Sequence, residues 1–106
     1  MKREDYLNRF SETLSLMFKI TSEKNADYAT WDDPFRNFRM VENMGICTSE
    51  EWILVRMSDK MSRISNLIKD NKPQVKDESI EDTLVDLANY SIILSIYLKH
   101  EREKNI

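Results

Sequence analysis

Apolar residues recur along this chain at intervals of three and four, the spacing of one face of an α-helix. From about Glu4 to Ala26, Tyr6, Phe10, Leu14, Met17 and Thr21 form a stripe that Leu7 and Phe18 widen. Lys24 falls on the same stripe one turn later, and Tyr28 follows it. Asp33 can cap, and Pro34 can open, a short second helix that carries Phe35, Phe38 and Val41 and ends before Gly45. Thr48-Ser49-Glu50-Glu51 has the form of a capping box, with Cys47 placed to staple onto Trp52. A third helix is predicted from there to about Asp70, its core stripe being Ile53, Met57, Met61, Ile64 and Ile68. The stretch from Asn71 to Lys76, containing Pro73, breaks that helix and returns the chain antiparallel to it.

The fourth helix, opened by the acidic stretch that begins at Asp77, carries two stripes. Ile80, Leu84, Leu87, Ser91, Leu94 and Leu98 make the apolar one; Glu78, Asp82, Asp86 and Asn89 make a polar one across from it. Further along, the polar sector is taken over by Val85, Ile92, Ile93 and Ile96, which places the acids in a crevice rather than in open water. Solvent is expected along Glu81, Ala88, Ser95 and Lys99. Two readings of the acids stand side by side. Glu78 and Asp82 suit a helix N-terminus capped by Ser79, whereas carboxylates gathered in a partly desolvated place call for a cation between them.

Composition narrows the class. The 106 residues include one Gly and two Pro, with 33% charged and 41% hydrophobic residues, which suits one all-α domain spanning 1–106. A net charge of −3 speaks against a general duplex nucleic-acid surface. The single Cys47 forms no intrachain disulfide and no cysteine zinc site, so the cytoplasm is the expected compartment. The apolar run from Ile92 to Leu98 is too short to span a membrane.

Three further features carry candidate chemistry. Lys24, with Asp27 beside it, is either a snorkelling side chain or a phosphate-binding cation at a pocket mouth. Arg56-x-x-Asp59-Lys60-x-x-Arg63 places cations on successive turns around one acid, as surface ion pairs or as an anion site. Trp31, Phe35 and Phe38 can fill a small core or stack on a base. His100 has no partner cluster suggesting catalysis or zinc.

Taken together, Lys24-Asn25-Ala26-Asp27-Tyr28, Arg56-x-x-Asp59-Lys60-x-x-Arg63 and Glu78-Ser79-x-x-Asp82-x-x-x-Asp86-Leu87-Ala88-Asn89-Tyr90 resemble the phage and bacterial nucleotide modification associated domain 1 family. The resemblance runs from about Lys24 to Leu98. That family is in turn distantly similar to the all-α nucleoside triphosphate pyrophosphohydrolases of the MazG-like and dimeric dUTPase groups, which hold Mg²⁺ with carboxylates from two adjacent helices. The resemblance implies a MazG-like arrangement of three long helices and one short one, acting on nucleotides in the cytoplasm, in a phage setting in that of the host. It makes Glu78, Asp82 and Asp86 Mg²⁺ ligands, with Asp59 facing them from the third helix. Lys24, Asp27, Tyr28, Arg56, Arg63, Asn89 and Tyr90 become nucleotide contacts. Asp59 would orient water or complete the metal shell, and Lys60 would stabilise developing charge. The chain departs from the pyrophosphohydrolase pattern at two points. Asp59 is one acid among cations where those enzymes carry Glu-x-x-Glu, and Thr83 stands where a Glu-x-x-Asp ending at Asp86 needs a glutamate.

Three functions remain in view: a Mg²⁺-dependent pyrophosphohydrolase, a protein that binds a nucleotide or nucleotide signal without hydrolysing it, and a structural helical oligomer. The expected crevice lies between the start of the fourth helix and the middle of the third, with Lys24 at its rim. Apolar residues almost all round the later part of the fourth helix favour a homo-oligomer, a dimer or larger.

Overall fold

A computed structural model describes residues 1–29, 33–70 and 79–104, leaving aside the side chains of Tyr28 and Asp70. Among the described residues the chain is all-α. It comprises α1 (Arg3–Tyr28), α2 (Arg36–Asn43), α3 (Ser49–Asp70) and α4 (Ile80–Glu103).

Local chemistry sets the helix ends. At α3 the Thr48 hydroxyl accepts from the Glu51 amide and the Glu51 carboxylate accepts from the Thr48 amide, both at 3.1 Å. At α4 the Ser79 hydroxyl accepts from the Asp82 amide at 3.0 Å, and the Asp82 carboxylate accepts from the Ser79 amide at 3.3 Å. Each box satisfies two N–H groups that the first turn would otherwise leave unpaired. Gly45 ends α2 with φ of 74°, its amide donating to Glu42 O and that of Ile46 to Val41 O. This pairing needs a left-handed residue, and glycine supplies it. The start of α2 differs from expectation. Asp33 accepts from the amides of Phe35 and Arg36, so Pro34 and Phe35 form a turn and the helix begins at Arg36.

The antiparallel pair α3–α4 is the spine of the fold. Ser49, Arg56, Lys60 and Arg63 on α3 meet Tyr97, Tyr90, Asp86 and Thr83 on α4. Each step along α3 is matched by an equal and opposite step along α4, so one register holds over four turns. That register corrects the expected stripes. On α3, Met61 and Ile68 are exposed, and Ile53, Ile64 and Leu67 are buried with Lys60 among them. On α4, Leu84 and Leu98 are exposed and Ala88 is half-buried, while Thr83, Asn89 and Tyr97 face inward. Of the described members of the polar stripe, Asp86 packs against Lys60 of α3 and Asn89 against the Met17 carbonyl of α1, whereas Asp82 is exposed.

At one end, α2 is tied to both long helices through Ser49. The Ser49 hydroxyl donates to Phe38 O at 3.2 Å and lies beside the Tyr97 phenol, while Glu42 accepts from the Ser49 amide. Phe35 packs edge-on against Tyr97, with ring centres 5.3 Å apart. Arg39 lies between Asp33 and Glu101, at 3.6 and 3.8 Å.

Only the second half of α1 joins this body. Met17 is buried, and its carbonyl accepts from the Asn89 amide nitrogen at 3.3 Å. Asn25 donates to Pro34 O at 2.8 Å, fastening the end of α1 to the turn before α2. Every residue from Met1 to Leu16 is exposed. The radius of gyration is therefore 16.0 Å, against about 13 Å for a compact chain of this length.

Candidate functional site

The side chain that joins the helices at mid-molecule is Asp86. One carboxylate oxygen faces Lys24 Nζ at 3.4 Å and the other faces Lys60 Nζ at 3.5 Å. Asp86 and Lys60 are 18% and 15% exposed, whereas Lys24 is 55% exposed. The α3 ammonium thus belongs to the packed seam, and the α1 ammonium remains open to solvent. Above this pair, Arg56 lies beside Tyr90, contacts Asp59 at 3.8 Å and lies 5.9 Å from the centre of the Trp52 ring. Tyr90 holds the Arg56 guanidinium more firmly protonated than usual, against the opposing effect of burial. Below it, Arg63 Nε donates to the Thr83 hydroxyl at 3.4 Å.

On the other face of α4, toward α1 and α2, lies a cavity of about 360 Å³. Phe18, Phe35, Phe38, Ile93 and Ile96 give it apolar walls; Lys24, Asn25, Asp86 and Asn89 stand among its polar lining groups. Its size and mixture of many apolar walls with few polar groups are those of a small-molecule pocket. This cavity lies between α1, α2 and α4, whereas the sequence suggested a crevice between α3 and α4. The α3–α4 seam is closed by its own hydrogen bonds and ion pairs.

The expected site residues divide accordingly. Lys24, Asp86, Asn89 and Tyr90 line the cavity. Arg56, Lys60 and Arg63 sit in the seam behind it. Asp59 is largely exposed beside Arg56, and Asp27 is exposed. Asp82 serves the α4 cap. Glu78, Trp31 and the Tyr28 side chain lie outside the described residues.

Mg²⁺ needs converging oxygen ligands. Among the described residues, no three carboxylate, imidazole or thiol groups are grouped to hold a metal. The reason is visible in the pairing: both Asp86 oxygens already face ammonium groups, and the Asp82 carboxylate closes a helix cap. The described residues do not assemble a Mg²⁺ centre by themselves, and Glu78 lies outside them.

Several contributors were not singled out by sequence. Phe18, Asn25, Ile93 and Ile96 line the cavity, and Ser49 and Tyr97 build the wall behind Phe35 and Phe38. Burial pushes the Tyr97 phenol above its ordinary value, with the nearby carboxylates of Glu42, Glu101 and Glu50 acting the same way and the Ser49 hydroxyl opposing them. The signal for Ser49 was its place: a small hydroxyl at the first turn of α3, facing the end of α2.

Among the described residues, no helix is long and apolar enough to cross a membrane. Neither a curated protein nor a solved structure matches the chain. A family model, nucleotide modification associated domain 1, matches residues 24–98, a span that contains Lys24, Asp86, Asn89, all of α3 and α4 as far as Leu98. By that match the chain belongs to the nucleotide modification associated domain 1 family.

Proposed function

We propose that this chain binds a nucleotide in the cavity between α1, α2 and α4 and does so without hydrolysing it. The observation that carries the reading is the cavity itself, with aromatic walls from Phe18, Phe35 and Phe38 and a lysine and a carboxylate at one edge. A base gains from apolar and aromatic contact, and its polar edge needs a few fixed partners. Asn25 and Asn89 are anchored through their amide nitrogens to Pro34 O and Met17 O, so each holds a fixed orientation. A phosphate would replace the Asp86 carboxylate as the partner of Lys24, whose exposure leaves it free to turn. Lys60 would remain with Asp86 and keep that buried charge compensated.

Hydrolysis through Mg²⁺ is the less favoured reading. It would require Asp86 to give up its ammonium partners and Asp82 to leave its cap, and each change would expose a group that is now satisfied. The test is a panel of ribo- and deoxyribonucleosides, their monophosphates and their triphosphates, with thermal shift and pyrophosphate release recorded with and without Mg²⁺. Saturable stabilisation without released pyrophosphate supports binding. Pyrophosphate release that depends on Mg²⁺ and is lost in Asp86→Asn overturns it in favour of hydrolysis.

A further inference from the structure

Among the described residues, the first half of α1 carries an apolar stripe with nothing against it. Tyr6, Leu7, Phe10 and Leu14 are each about half exposed, although they continue the stripe on which Met17 is buried against α4. One helix face thus serves the chain's own core at one end and open water at the other. A globular monomer rarely leaves such a continuous face uncovered.

The same surface reaches the cavity. Phe18 and Ile96 line it, yet they are 74% and 55% exposed, so the cavity is unwalled on that side. Ile92, one turn before Ile96 on α4, is also exposed and extends the apolar rim. Stripe and rim are both apolar and meet at Phe18.

We infer that a second copy of this chain packs on this face, α1 of each copy covering the Phe18–Ile96 side of the other, and that the cavity is complete only in the pair. A two-fold contact uses the same patch on both copies, and here the patch contains both the projecting helix and the open wall that it would cover. The area is sufficient. At roughly 100 Å² for a large side chain about half exposed, the seven apolar residues on the stripe and rim supply roughly 700 Å² per chain, close to the ~800 Å² per partner of a standard stable interface. The proposal rests on the nucleotide reading only for what the cavity holds; the pairing and the covering of Phe18 stand apart from it.

Sedimentation velocity on the full chain is the first measurement, with Phe10→Glu and Leu14→Glu beside it and circular dichroism to establish that each variant stays helical. Both substitutions fall on exposed positions, so a folded monomer tolerates them. The expected result is a species of twice 12.7 kDa for the natural chain and of 12.7 kDa for either variant. Closure of the wall is then read without nucleotide, from the reaction of a thiol placed by Phe18→Cys in a Cys47→Ser background. The dimer should react at least tenfold more slowly than the same protein carrying Leu14→Glu. A natural chain that sediments as a monomer, including one that associates only with another protein or with lipid, overturns the pairing. A dimer in which the Phe18→Cys thiol reacts as fast as in the Leu14→Glu protein overturns the closure.

Discussion

Lys60 on α3 and Asp86 on α4 face each other at 3.5 Å, both more than four-fifths buried. This pair separates the packed seam from the cavity. Behind it lie Arg56–Tyr90 and Arg63–Thr83 in the same register, and in front of it Lys24 reaches the other oxygen of the same carboxylate. Asp86 is therefore a structural hinge point and a cavity residue at once.

Replacing Lys60 by Met leaves Asp86 with only the exposed Lys24, and we expect a loss of about 1–3 kcal/mol in urea denaturation. Lys60→Met with Asp86→Leu should cost clearly less than the two single changes added together, because neither charge is then left behind. Additive losses would mean that the two groups do not interact.

Thr48→Ala removes the hydroxyl of the α3 capping box and should cost about 1 kcal/mol. Its partner Glu51 is held below its usual 4.5, chiefly by the backbone bond from Thr48. A carboxylate with a lowered value in the folded chain stabilises above its ordinary value and ceases to as pH falls below it. Glu51→Gln should therefore narrow the difference in stability between pH 7 and acid conditions. An unchanged acid profile would remove Glu51 from the account.

Tyr97 is raised above its ordinary 10.0, mainly by burial. Folding thus favours the neutral phenol, and the corresponding stability is present below pH 10 and lost as pH rises through the raised value. Tyr97→Phe should lose less stability than the natural chain on going from pH 7 to alkaline pH. Parallel pH profiles for the two proteins would contradict this.

Lys24→Ala should weaken nucleotides while leaving the corresponding nucleosides within about twofold, since the exposed ammonium serves only phosphate. An exposed charge contact contributes up to ~1 kcal/mol, so the expected loss is up to roughly fivefold, falling with added salt. Equal losses for nucleoside and nucleotide in calorimetric titration would place Lys24 in a packing role instead.

Much of the fold was legible because its signals are local. Thr48 with Glu51, Ser79 with Asp82, and Gly45 each act within one turn, so spacing alone locates the ends of α2, α3 and α4. The direction of the helix faces was not. In α4, the apolar residues Leu84 and Leu98 are exposed while Thr83 and Asn89 are buried, because Arg63 and the Met17 carbonyl supply partners that no window of α4 contains. Lys60 is packed inward for the same reason: its partner Asp86 is on another helix.

The candidate site shows the same division. Lys24 was expected at the rim of a pocket because it continues the α1 stripe, and Asp86 and Asn89 stood out as members of the polar stripe of α4. All three line the cavity. The side of α4 on which the cavity opens depends on the crossing of α1 and on the turn at Pro34, which are tertiary facts. Asp82 shows the converse. As an acid in an acidic stripe it invited a metal role, yet its carboxylate is used within the first turn.

The central claim is that the α1–α2–α4 cavity is the nucleotide site. Its most direct test is calorimetric titration of the nucleotide panel into the natural chain and into Ser22→Trp, an exposed α1 position at the cavity whose indole would fill the space without disturbing the seam. The account predicts one saturable site per chain, unaffected by removing Mg²⁺ with a chelator, and its loss in a Ser22→Trp protein of unchanged helicity. Equal binding by both proteins, or no binding of any nucleotide by the natural chain, would contradict it.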